Sequence, residues 1–223
     1  MKPLEPELER GFRKGGSMTT KEDLIERIIE VEWKMFQDVP NIGGRAACQD
    51  DLKTFRIMRA AQSASWSDRT LESYLDDLNE AESSGRNLLT EKYARMMRST
   101  LPSEYARIEH LLTPVDPEAL ELIEQIVKIV LGWEEELLER YPYIIKRGRP
   151  LFSDEDSAGV TSMETYLRGE LATYSLRTLE VYLDHIQREQ SENINGSAIT
   201  LLYMIKQYGF GSLEEANEKM ISL

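Results

Sequence analysis

The chain has 223 residues and a formal charge of −13, with 41% hydrophobic and 30% charged residues, a composition that suits a soluble globular protein able to bury one sizeable core. So acidic a balance argues against nucleic acid or an anionic membrane as a partner, because both reward basic faces. One cysteine, Cys48, and two histidines, His110 and His185, leave no internal disulfide framework and no multi-cysteine zinc or iron–sulfur site, so no metal and no cofactor is expected.

Residues 1–17 mix Pro3, Pro6, Gly11, Gly15 and Gly16 with charges and read as a flexible leader ahead of one helical domain over 18–223. No run approaches a membrane span and no secretory signal is evident, which predicts a cytoplasmic protein. Thr20, with Asp23 three residues into the helix, caps a segment whose buried stripe is Leu24, Ile25, Ile28, Ile29, Met35 and Phe36. Glu32 falls on that stripe. A carboxylate there must be paired, hydrogen-bonded or protonated, unless it sits at the stripe's edge and reaches solvent.

After Val39-Pro40 comes Asn41-Ile42-Gly43-Gly44-Arg45-Ala46-Ala47-Cys48-Gln49, then a helix over 47–64 with a stripe of Cys48, Leu52, Phe55 and Met58 that Arg59 and Gln62 interrupt. Ser67 or Asp68 caps a third helix carrying Leu71, Tyr74 and Leu78. A fourth, over 86–99, buries Leu88, Leu89 and Met96. Pro102 opens a short helix, and Asp116-Pro117 caps and starts a long apolar one reaching Arg140.

The charged stretch 146–156 reads as a solvated connection. Thr161 and Glu164 have the spacing of a capping box for a helix running to Gln190, and two shorter pieces follow, over 198–208 and from the cap Ser212 to Ile221. With no alternating β-branched run, strands are not expected. The predicted architecture is all-α: a single-domain compact bundle of about eight helices.

Four runs in this order are distinctive: Glu32-Trp33-Lys34-Met35-Phe36; the Asn41 to Gln49 stretch; Gly85-Arg86-Asn87-Leu88 with Glu91-Lys92-Tyr93-Ala94-Arg95-Met96; and Thr161-Ser162-Met163-Glu164-Thr165-Tyr166-Leu167-Arg168-Gly169-Glu170-Leu171. They resemble an uncharacterised bacterial family, domain of unknown function 4125, over nearly everything after the leader. The resemblance implies a cytoplasmic bacterial domain and carries no assigned activity. It also suggests an accessory module for a protein partner such as a nucleotidyltransferase-like protein.

Two glycines before a helix start can expose successive N–H groups to an anion, and Arg45 would add a forked donor; the plainer reading is a turn whose glycines serve backbone geometry alone. Glu32, Arg45, Arg59 and Gln62 come from two helices that a short loop makes neighbours. They form either a ligand site or a buried ion-pair network, Glu32 with Arg45 or Arg59, that only fixes helix packing. Arg86, Lys92, Arg95 and Arg168 would extend a basic lining, although Glu91 with Arg95 and Glu164 with Arg168 have the spacing of ordinary helix pairs.

The expected function is therefore an Arg-lined internal pocket for a small anionic metabolite, with Gly43, Gly44, Arg45, Arg59, Gln62, Arg86 and Arg168 as ligand contacts. Were it an enzyme, carboxylate acid–base work by Glu32 or Glu170 suits it better than thiol chemistry at Cys48, which has no evident base. The competing class is an interaction module in which the acidic surface or the 146–156 loop docks a protein.

Overall fold

The computed structural model describes residues 20–41 and 44–221. The proposed leader and Gly43 lie outside the described residues. Helix α1 (Lys21–Gln37) starts as its sequence predicts: the Thr20 hydroxyl accepts the Asp23 N–H at 3.1 Å and the Asp23 carboxylate accepts the Thr20 N–H at 3.0 Å. Its buried side chains are Leu24, Ile28, Ile29, Met35 and Phe36, with Glu32 fully buried among them.

Helix α2 (Leu52–Ala64) starts later than expected, because residues 47–50 form a 3₁₀ turn and Asp51 is the cap. Its phase also differs. Leu52 and Met58 are 42% and 48% exposed, whereas Arg59, Ala61 and Ser63 are buried. Wedged between α1 and α10 (Gly196–Gln207), the helix turns Arg59 rather than Met58 inward.

Ser67 caps α3 (Asp68–Ser83) and Asn87 caps α4 (Leu88–Thr100); α5 is Pro102–Ile108 and the long α6 is Pro117–Arg140, capped by Asp116 as predicted. A one-turn helix, α7 (Pro142–Ile145), precedes the charged loop.

The helix expected over 161–190 is two, α8 (Met163–Leu171) and α9 (Leu176–Ser191). Ser162, not Thr161, caps α8 by accepting the Thr165 N–H at 3.1 Å, while Glu164 accepts from the Ser153 N–H at 3.0 Å instead of closing a capping box. Ser175 breaks the run because it caps a new helix, and its own N–H donates to Asp77 of α3 at 2.9 Å. Helix α11 (Leu213–Ile221) ends the described chain, with Ser212 accepting the Glu215 N–H at its start.

The described residues thus hold eleven α-helices and no named strand, all-α as expected but more finely divided than eight. Helix α1 packs on α3, α6 on α9, α10 on α2 and α4 on α8. The larger apolar core includes Ile28, Leu71, Leu78, Ile126, Leu171 and Leu179; a smaller one, Leu137, Tyr141, Leu201, Ile205, Leu213 and Ala216, joins the end of α6 to α10 and α11. No helix among the described residues is long and apolar enough to cross a membrane.

Candidate functional site

Close approach of α4 and α8 sets up a buried ion network. At Gly169 a Cβ would lie 2.9 Å from the Met96 side chain and 3.0 Å from the Lys92 carbonyl, so the crossing needs the missing side chain. It sets Lys92 against Glu170, with Nζ 3.1 Å from one carboxylate oxygen. The other Glu170 oxygen meets Arg59 Nη1 at 2.9 Å. Arg59 then turns its fork on Glu32: Nε donates to Oε2 at 2.6 Å, Nη2 donates to Oε1, and Nη1 also donates to Gln62 Oε1 at 2.7 Å. Tyr74 completes Glu32 by donating its hydroxyl at 2.7 Å.

Two carboxylates thus balance two cations, and every carboxylate oxygen is bonded, which is the condition under which buried charge is tolerable. Burial pushes the Glu170 carboxyl up, but Lys92 and Arg59 outweigh it and hold it at about 2. Burial pulls the Arg59 guanidinium down, yet Glu32 and Glu170 raise it well above its usual value. Burial, with Glu32 beside it, pushes the Tyr74 hydroxyl well up. Glu170 is therefore held as an anion, ill placed to carry a proton.

Arg59, Gln62 and Glu170 also form part of the wall of a cleft of about 1200 Å³. Its sides are mostly apolar and come from both cores, with Trp66, Val130, Trp133, Leu167, Tyr182 and Leu201 among them. Lys146, Arg147 and Arg149 of the loop after α7 line it as well. Arg147 donates to the Met220 carbonyl at 3.2 Å and Arg149 to the Thr161 carbonyl at 3.1 Å, while the Arg149 guanidinium sits 4.7 Å from the Tyr166 ring centre. Among the described residues none of the three has a carboxylate partner, although Glu155 also faces the cleft.

The expected residues therefore separate. Arg59, Gln62, Glu32 and Glu170 come together; Arg45, Arg86, Arg168 and Cys48 do not join them. Arg45 is half-exposed, bonds Asp50 at 2.8 Å, and does not meet Glu32 or Arg59. It donates to Gln37 and, at 2.8 Å, to the Gln49 carbonyl. Gly44 has φ +100° and its N–H is taken by the Asn41 carbonyl at 3.2 Å, so that amide serves the turn.

The residue that organises this stretch is Gln49, which sequence reasoning missed. Buried at 2% exposure, it donates to the Phe36 and Val39 carbonyls at 2.8 and 3.1 Å and accepts from Asn41 and the Ala46 N–H at 2.8 and 3.0 Å, finishing the end of α1. Arg86 is bidentate to Glu91, and Arg168 bridges Glu164 and Glu124. Cys48 is exposed and His110 lies on the surface. Among the described residues no group of three or more His, Cys, Asp or Glu is arranged to hold a metal ion.

Fold and site together define an all-α protein with a neutral ion network set against a large apolar cleft. The model of the family described as protein of unknown function (DUF4125) matches residues 22–218, and the chain belongs to that family. No curated protein and no solved structure matches it.

Proposed function

We propose that the cleft binds a small organic anion with an apolar body, in the cytoplasm of a bacterial cell, with Lys146, Arg147 and Arg149 as the acid-group contacts. The observation that carries this is the pairing of apolar walls with three cations that lack carboxylate partners among the described residues, in a chain whose net charge is −13. Arg59 is less suited to the acid group than these three, since Glu32 and Glu170 already neutralise it. Its part is to hold the floor of the cleft and to fix the Gln62 carbonyl.

Calorimetry and thermal unfolding with octanoate and octyl phosphate, each below micelle formation, test the reading. Saturable binding of either, weakened about tenfold or more in Lys146→Ala/Arg149→Ala, supports it; the response of carboxylate against phosphate distinguishes the headgroup. No binding of either compound, or equal affinity in the variant, overturns it in favour of the protein-partner reading.

A further inference from the structure

A second stretch of the cleft wall, built by α6, α9 and α10, has the opposite chemistry. Glu134 and Glu189 both face the cleft there. The Ser197 hydroxyl lies near the Glu134 carboxylate, and no lysine, arginine or histidine pairs with it among the described residues. Glu189 has His185 at 3.5 Å, whose Nε2 also lies 2.8 Å from the Ser65 carbonyl; Lys21, near enough to act on Glu189 through space, spends its ammonium on the Ala64 and Trp66 carbonyls at 2.8 and 2.7 Å.

Aromatic rings meet these acids. A Cβ on Gly196 would stand 2.8 Å from Glu189 Oε2 and 2.9 Å from the Trp133 ring, so the acid and the ring converge on one bare backbone position. Trp66 and Tyr182, with ring centres 5.5 Å apart, continue the wall. Burial pushes both carboxyl groups up, offset only in part by Ser197 at Glu134 and by His185 and Lys21 at Glu189. Carboxylates among indole and phenol faces are the surroundings that an organic ammonium prefers, through charge and through the negative ring face.

We propose that the cleft selects dipolar ligands, seating an organic ammonium among Glu134, Glu189 and the Trp133 and Tyr182 rings while the acid group of the same molecule is held at Lys146 and Arg149. The ligand class is an amine and an acid joined by an apolar spacer. This rests on the anion reading above and adds a second recognition element to it. A ligand bearing only an acid desolvates the carboxylates without bringing an ammonium to them, and one bearing only an amine leaves the basic rim unused.

The test compares octanoate, octylamine, ω-aminohexanoate, ω-aminooctanoate and ω-aminododecanoate by calorimetry on the full chain. One of the three amino acids should bind about tenfold more tightly than octanoate, and the length that does so reports the spacing of the two seats. Glu134→Gln and Glu189→Gln, each confirmed folded by its melting curve, should erase that advantage without weakening octanoate binding. If no amino acid exceeds octanoate, or if both variants keep the preference, the dipolar proposal is overturned while the anion reading stands. Octylamine binding with octanoate silent overturns the anion reading and the dipolar proposal with it.

Discussion

Positive charge is used in two ways here, one on each side of the cleft wall. Around Arg59 and Lys92 the cations are buried, and Glu32 and Glu170 take up their charge. In the loop after α7, Lys146, Arg147 and Arg149 reach solvent; among the described residues Arg147 and Arg149 bond carbonyls and Arg149 also lies over the Tyr166 ring. The first set has spent its electrostatic field on the fold, holding α1, α2, α4 and α8 in register. In the proposed reading the second keeps its field for whatever enters the cleft. On the reading proposed above, an anion receptor is marked not by burial but by whether a carboxylate already answers each cation.

The comparison breaks most visibly at Arg59. Arg59→Met leaves Glu32 and Glu170 buried without their shared partner, and removing one member of a buried pair costs about 3–5 kcal/mol. Urea unfolding should show that loss, whereas Arg45→Met, at a half-exposed pair, should cost under about 1 kcal/mol. A mild effect at Arg59 would mean that the network is not what registers these helices.

Acid probes the same network. The Glu170 carboxyl is held at about 2 against an ordinary value of 4.5, so the folded chain binds fewer protons than the unfolded one across that interval. The stability it contributes is whole above about pH 4.5 and drains as pH falls toward 2. In Glu170→Gln the wild-type share of that acid loss should vanish from a plot of urea midpoint against pH. An unchanged slope would remove Glu170 from the acid response.

Some of this was legible in the residues and some was hidden for physical reasons. Glu32, Arg59 and Gln62 declared themselves because polar side chains on an apolar stripe need partners, and the short connection made their helices neighbours. Lys92 gave no such signal, since a lysine among charges is ordinarily a surface residue and only the Gly169 crossing buries it. Arg45 misled because a glycine pair before a helix resembles an anion nest, whereas the local turn and Gln49 absorb its donors. The loop over 146–156 has the composition of a solvated connection, and nothing local to it says that it faces an apolar cleft. Helix phase did the remaining damage: Met58 and Leu52 were placed inward by periodicity, and the packing of α2 on α10 turns them out.

Gln49 is the next largest effect on this scale. Gln49→Ala removes one donor each from the Phe36 and Val39 carbonyls, which keep the Val39 N–H and the Asn41 amide, and takes the acceptor from the Asn41 amide and the Ala46 N–H, a loss of about 2–3 kcal/mol at about 0.5–1.5 for each bond. It should lower the melting temperature without changing octanoate affinity, because Gln49 does not line the cleft. A variant that melts normally would place the strength of this junction in the packing of Phe36 on Phe55, whose ring centres are 5.1 Å apart.

A smaller change in stability than at Arg59 or Gln49 should come from Asp156, and it bears most directly on how the solvent-facing cations are held. Its carboxylate accepts from the Ser99 and Thr165 hydroxyls, each at 2.5 Å, and from the Ser162 N–H at 2.6 Å, tying the end of the charged loop to α4 and α8. The loop is also pinned through its backbone, with the Met163 N–H donating to the Pro150 carbonyl at 2.7 Å. Asp156→Ala should therefore cost only about 1–2 kcal/mol. Freed of its tie, the loop pays more entropy to gather Lys146 and Arg149 on one acid group, so octanoate should bind several-fold more weakly, with the melting curve nearly in place. Weaker binding at near-normal stability is a combination that Arg59→Met and Gln49→Ala should not give; unchanged affinity would show that the rim cations work without Asp156 holding their loop.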